Sequence, residues 1–137
     1  MARKPFHAEL IRFVFDASAL INIERSGQMD RLRSIKGAVL ISEKVAGEVN
    51  QRGKPLARFI RSYPEVVTGF VSAREESDYL RFRKQLEIHG GEASAMAIAL
   101  NRDKCLVIDE KETKATGKAR EHGIATMSSQ EFIKRHF

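Results

Sequence analysis

The sequence predicts an α/β protein in which a central parallel sheet is flanked by helices on both faces. Two observations carry this. Short apolar runs alternate with segments of helical spacing along the chain, and no run of consecutive hairpins appears. The 137 residues, 42% of them hydrophobic, suit one domain spanning residues 1–137 with one core and no internal repeat.

The elements follow in order. LIRFVF (10–15) is the first strand, ended by Asp16, and SALINIER turns inward Leu20, Ile21 and Ile23 as a helix. Gly27 interrupts, MDRLRSI gives a second short helix, and Gly37 precedes the strand AVLIS (38–42). EKVAGEVNQ is a helix weakened by Gly47; PLARFIRSY is another, with proline in the first turn where its missing N–H does no harm. EVVTGFV (65–71) reads as a weak third strand. Ser72 with Glu75 forms a capping box for the long charged helix REESDYLRFRKQLEIH, which stops at Gly90-Gly91. EASAMAIALN has almost no polar face and is predicted to be a buried helix. CLVID (105–109) is the next strand, EKETKATGKAREHG (110–123) the next helix and IATM an edge strand, and Ser128 with Glu131 caps a terminal helix.

Composition narrows the partners. Lys and Arg number 24 against 18 Asp and Glu, a net charge of +6 that suits a polyanion such as nucleic acid, although basic solubility alone explains it equally well. Cys105 is the only cysteine, so no internal disulfide forms, which favours a reducing, cytoplasmic setting. The start MARKPFHAELIRFVF imitates a signal peptide, but Glu9, Arg12 and Asp16 break the apolar stretch and it reads as mature sequence. No run approaches the roughly 20 apolar residues of a membrane span.

Within RFVFDASALIN, Asp16 is the single acid of an apolar run, and an unpaired buried carboxylate is costly. Asp109 ends another strand in the same way, Glu92 opens the alanine-rich helix after two glycines, and Glu48 follows the second strand. Ligands of open parallel sheets bind beyond the carboxyl ends of the strands, where Asp16 and Asp109 are expected to converge, with Glu92 and Glu48 as further candidates at the same edge. Each alone has an ordinary explanation: Asp16 and Asp109 as N-caps, Glu92 as a partner of the helix dipole, Glu48 as a solvated charge. Together they would repel, and a hard divalent cation, Mg²⁺ or Mn²⁺, is the usual remedy.

VFDASALI, ISEKVAGEV, GGEASAMAIAL and CLVIDEKETKATGKAREHGI, in this order, resemble the PIN-domain nucleases over almost the whole chain. The resemblance implies a sheet sandwiched by helices, a Mg²⁺- or Mn²⁺-dependent ribonuclease activity, and catalytic acids at Asp16, Glu48, Glu92 and Asp109, of which Asp16, Glu92 and Asp109 hold the metal. It further implies the toxin of a toxin–antitoxin pair, with an antitoxin protein as partner and a homodimer as assembly. Leu56, Phe59 and Ile60, at helical spacing, are the residues offered for a dimer face, with core packing as their ordinary role. Many relatives carry Asp where Glu92 stands, and an additional acid or hydroxyl is open between Glu110, Glu112 and Thr113.

Ser18 is placed to bond Asp16 or to cap the helix, and Lys111, Lys114, Lys118 and Arg120, with Arg81, Arg83 and Lys84, are the cations available to an RNA backbone. Tyr79 and Phe82 are the candidates for base stacking, with core packing as the simpler role. No histidine has metal-ligand spacing. An aspartyl phosphatase is disfavoured because Ser18 stands where a second Asp belongs. The alternative from another class is a catalytically idle PIN-like module that binds RNA or protein, which generally lacks some of the four acids present here.

Overall fold

The computed structural model describes residues 12–51 and 54–137. Five strands, β1 (Phe13–Phe15), β2 (Val39–Ser42), β3 (Val67–Thr68), β4 (Cys105–Val107) and β5 (Thr126–Met127), form one all-parallel sheet in the order β3-β2-β1-β4-β5. Consecutive side chains of a strand point to opposite faces, and Phe13, Val14 and Phe15 are all buried, so helices cover both sides of the sheet centre.

The helices are α1 (Ala17–Arg25), α2 (Met29–Ser34), α3 (Glu43–Asn50), α4 (Lys54–Ser62), α5 (Ala73–Gln85), α6 (Gly90–Arg102), α7 (Ala115–Glu121) and α8 (Ser129–His136). The alanine-rich α6 is buried from Gly91 to Ala99, and its small side chains let it lie close against β1, β2 and β4. Leu56, Phe59 and Ile60 of α4 are buried in the chain's own core and present no dimer face, which corrects that use of them. Among the described residues no helix is long and apolar enough to cross a membrane.

Three expected elements differ. The long charged helix α5 ends at Gln85, capped at Leu86, short of the Gly90-Gly91 pair expected to stop it. The third strand shrinks to Val67–Thr68 because Pro64 opens a 3-10 turn over Pro64–Val66. Of the first strand, residues 10–11 lie outside the described residues, as do residues 1–11 of the signal-like start, whose last residues are β1. The helix expected from residue 110 begins only at Ala115, after Lys114 adopts left-handed backbone at φ 57°. Residues 110–114 are therefore a loop beside the end of β4, and that loop matters for the site.

Chain direction reverses its order at β1: β2 and β3 are added on one side, β4 and β5 on the other. The crevice between the C-terminal ends of β1 and β4 is thus the topological switch point, the place where open parallel sheets bind ligands. The Asp16 amide donates to Val107 O at 2.9 Å and locks the two strand ends together there.

Candidate active site

Asp16 follows β1 directly and is fully buried. It caps α1 as well: its Oδ2 accepts from the Ser18 amide at 3.0 Å and from the Ser18 hydroxyl at 2.7 Å. Capping satisfies only one of the two oxygens. Asp16 Oδ1 is buried and has no hydrogen-bond partner among the described residues, a cost that an N-cap role does not explain.

Glu92 faces the same crevice from the first turn of α6 and is 1% exposed. Its Oε1 closes a capping box by accepting from the His89 amide at 3.0 Å, and its Oε2 accepts from the Thr113 hydroxyl at 2.9 Å. Of the three residues left open as helpers, Thr113 makes this contact, Glu112 lines the crevice, and Glu110 is exposed.

Lys111 stands between these two acids. Its Nζ lies 3.1 Å from Glu92 Oε2 and 3.4 Å from Asp16 Oδ2. Burial pulls the Lys111 pKa down, but the two carboxylates outweigh it and the ammonium is held above its ordinary value. In the sequence Lys111 reads as one of a row of cations on the helix expected over residues 110–123; the loop start in place of a helix is what turns Lys111 inward.

Glu48 reaches the crevice from α3, at its solvent side. Its carboxylate lies so close to α6 that a Cβ at Gly91 would stand 2.5 Å from Oε1, so only glycine at residue 91 admits it. The Glu48 pKa is raised, first by burial of the carboxyl, then by the Asp16 charge, with Glu92 adding a smaller push and with Lys111 and the Gly91 amide acting against them. Asp16, Glu92 and Glu48 therefore share one electrostatic neighbourhood; Glu48 and Lys111, with Ser18, Ile21, His89 and Glu112, line a crevice of about 430 Å³, and Asp16 and Glu92 are buried at the Lys111 ammonium.

Asp109 has a different setting from the one expected. Its backbone amide donates to Ser18 Oγ at 3.0 Å, which ties it to the Asp16 network. Its carboxylate, however, is directed to α8 and α1: Oδ1 accepts from the Ser129 amide at 2.8 Å, and Oδ2 from the Ser129 hydroxyl and Asn22 Nδ2, both at 2.6 Å. Asp109 thus caps the start of α8, not the helix that follows β4. Asn22 and Ser129 were not legible as site neighbours, since nothing local marks them.

The expected cation stripe is also redistributed. Lys118 donates to Leu86 O at 2.6 Å and Arg120 Nε to Thr126 Oγ1 at 2.9 Å, contacts that brace the fold, while Lys114 stays exposed. Arg81 pairs with Asp78, and Phe82 is fully buried, leaving Tyr79 as the partly open aromatic of the pair considered for stacking.

Among the described residues, no three acidic, histidine or cysteine side chains are gathered closely enough to form a ready metal cage. The donor set still fits a hard divalent cation. Two buried carboxylates share one cationic neighbour, one of their oxygens is orphaned, and a third carboxylate is seated against a glycine.

Residues 12–129 match the model of the family DUF3368, described as a PIN domain. The chain belongs to the PIN-domain family, whose members are generally nucleases. The fold agrees with a solved structure, PAE2754 from Pyrobaculum aerophilum, at a TM-score of 0.59 over 91% of this chain and 96% of that one, with 15% identity. No curated protein matches the chain.

Proposed function

We propose that this protein is a divalent-metal-dependent endoribonuclease that hydrolyses RNA phosphodiester bonds in the crevice at the ends of β1 and β4. The observation that carries the reading is the convergence of two fully buried carboxylates, Asp16 and Glu92, at the switch point of a PIN-family sheet, with Glu48 beside them.

Asp16 and Glu92 would hold a Mg²⁺ or Mn²⁺ ion, with Glu48 as the outer acid on the solvent side. When bound, such an ion supplies Lewis acidity at the phosphate and lowers the pKa of water there. Ser18 fixes the Asp16 carboxylate through its amide and hydroxyl, and His89 N–H and Thr113 fix Glu92, so neither acid needs to reorganise. Glu48, with its pKa raised, is suited to take a proton from the attacking water. Lys111, which such an ion would displace from between the acids, can then donate to a non-bridging phosphate oxygen. Asp109 is assigned as the residue that holds the α8 start and the β4 end in register with Ser18, with a place among the metal ligands only if its carboxylate leaves Ser129.

Toxin function, an antitoxin partner and homodimerisation rest on the family resemblance. A second reading, an idle RNA- or protein-binding module, is favoured by Lys111, which already neutralises part of the acidic pair. One assay separates them. Purified protein is incubated with single-stranded RNA in Mn²⁺, in Mg²⁺ and in EDTA, beside an Asp16→Asn control. Cleavage only with metal and only by wild type supports the nuclease. RNA binding without cleavage under every condition supports the idle module.

A further inference from the structure

A second cavity opens on the same C-terminal edge of the sheet, at the ends of β2 and β3. It has a volume of about 440 Å³ and is walled by Glu43 and Lys44 at the start of α3, by Thr68 at the end of β3 with Gly69 and Phe70 after it, and by Ser94 of α6. The Phe70 ring packs at 5.3 Å and 41° against Tyr79, whose own ring carries Lys44 Nζ at 5.0 Å. Arg83 Nη1 approaches Tyr79 Oη at 3.4 Å and sits where a Cβ on Gly90 would be 2.9 Å away. Gly90 precedes Gly91, against which Glu48 lies, so aromatics, cations and catalytic crevice follow one another along the start of α6.

Glu43 gives this cavity its character. Gly69 lets the Glu43 carboxylate lie against the backbone, since a Cβ there would be 3.2 Å from it. Among the described residues no ion pair engages Glu43, although Lys44 is its neighbour. An ionised carboxylate only accepts, and it accepts two parallel hydrogen bonds. Among the RNA bases, guanine alone presents two adjacent donors on one edge, N1–H and N2–H₂; the corresponding edges of adenine, cytosine and uracil each place an acceptor beside the donor.

We infer that the cavity beside Phe70 and Glu43 is a nucleobase subsite for single-stranded RNA, selective for guanine, with Lys44 and Arg83 receiving the flanking phosphates. Unpaired bases stack on aromatic faces and are read along their hydrogen-bonding edges, and this wall supplies both functions. The inference rests on the proposed action on RNA and adds which base is held beside the scissile bond.

The test is fluorescence anisotropy in EDTA with labelled hexauridylates carrying one central guanosine, inosine or adenosine. Guanosine should bind about tenfold tighter than adenosine, the discrimination of a bidentate pair, with inosine between them because it keeps N1–H and lacks the amino group. Glu43→Gln should abolish most of that preference while leaving adenosine affinity in place, and Phe70→Leu should weaken all three alike. Equal affinities for the three probes, no binding of any, or a guanosine preference that survives Glu43→Gln would overturn the subsite. Mn²⁺-dependent cleavage is measured separately. Guanosine preference without cleavage leaves the subsite standing and removes the nuclease reading, while cleavage with no base preference does the reverse.

Discussion

Lys111 Nζ lies 3.1 Å from Glu92 Oε2, and this one ammonium also serves Asp16 at 3.4 Å. Two buried carboxylates thus share a single positive charge in the position where a divalent cation would be held.

Removing that charge should cost stability and open the site to metal. Lys111→Met is expected to melt lower than wild type in EDTA by about 2 kcal/mol, less than for a fully buried pair because the Lys111 side chain is 28% exposed. Mn²⁺ should raise the melting temperature of the variant more than that of wild type, because binding to the folded state alone stabilises it. Equal Mn²⁺ shifts in the two proteins would mean that Lys111 does not occupy the cation position.

Gly91→Ala separates the site from the fold. The atoms nearest the added Cβ belong to the end of the flexible Glu48 side chain, which can swing away, and alanine is the better helix former. The variant should therefore melt within about 1 kcal/mol of wild type. Its Mn²⁺-dependent cleavage should fall, because Glu48 loses its seat beside Asp16. Full activity in Gly91→Ala would show that the seat is not used.

Asp109→Asn should destabilise, in contrast to the gain that relief of carboxylate repulsion would give. The Asp109 carboxylate accepts from Ser129 N, Ser129 Oγ and Asn22 Nδ2, and an amide has only one oxygen to offer. A loss of about 1–2 kcal/mol is expected in thermal melting, with and without Mn²⁺ alike. A large change in Mn²⁺ affinity would instead place the Asp109 carboxylate among the metal ligands.

A buried pair away from the crevice sets an acid dependence. Glu75 is 1% exposed and takes Arg102 Nε at 2.7 Å and Nη2 at 3.0 Å, with the Val71 amide on Oε1 at 2.9 Å. Burial pushes its pKa up, but the Arg102 and Val71 hydrogen bonds and the Arg102 charge outweigh burial and hold it below its ordinary value near 4.5. A lowered carboxyl pKa contributes stability above the unfolded value that is lost as pH falls through the folded one. Glu75→Gln should therefore be less stable than wild type by about 2 kcal/mol at pH 7, and the gap should narrow progressively as pH falls from the unfolded value near 4.5 through the lower folded one. A gap that does not narrow on acidification would contradict this.

What was legible in the sequence tracks how local its cause is. Asp16 could be singled out because an apolar run surrounds it, and Glu92 because its helix has no other polar side; both are buried where expected. The glycine pair before Glu92 was legible as a break, but its use was not: Gly91 serves Glu48, a residue far away in the chain. Lys111 was hidden for a related reason. No breaker separates residues 110–114 from α7, so helical spacing runs through them, and the turn at Lys114 follows from tertiary contacts of Lys111 and Thr113 with Glu92. Asp109 looked like Asp16 at the level of strand and acid, yet Ser129, 20 residues later, decides where its carboxylate goes.

Asp16 and Glu92 are proposed as the residues that hold a divalent cation. Electron paramagnetic resonance of free Mn²⁺, titrated against wild type, Asp16→Asn and Glu92→Gln, tests it most directly because it needs no substrate. Saturable Mn²⁺ uptake is expected of the wild-type protein, and at least about tenfold weaker uptake of each variant, as loss of a charged ligand entails. Uptake by Asp16→Asn and Glu92→Gln equal to that of wild type, with all three proteins folded, would contradict it.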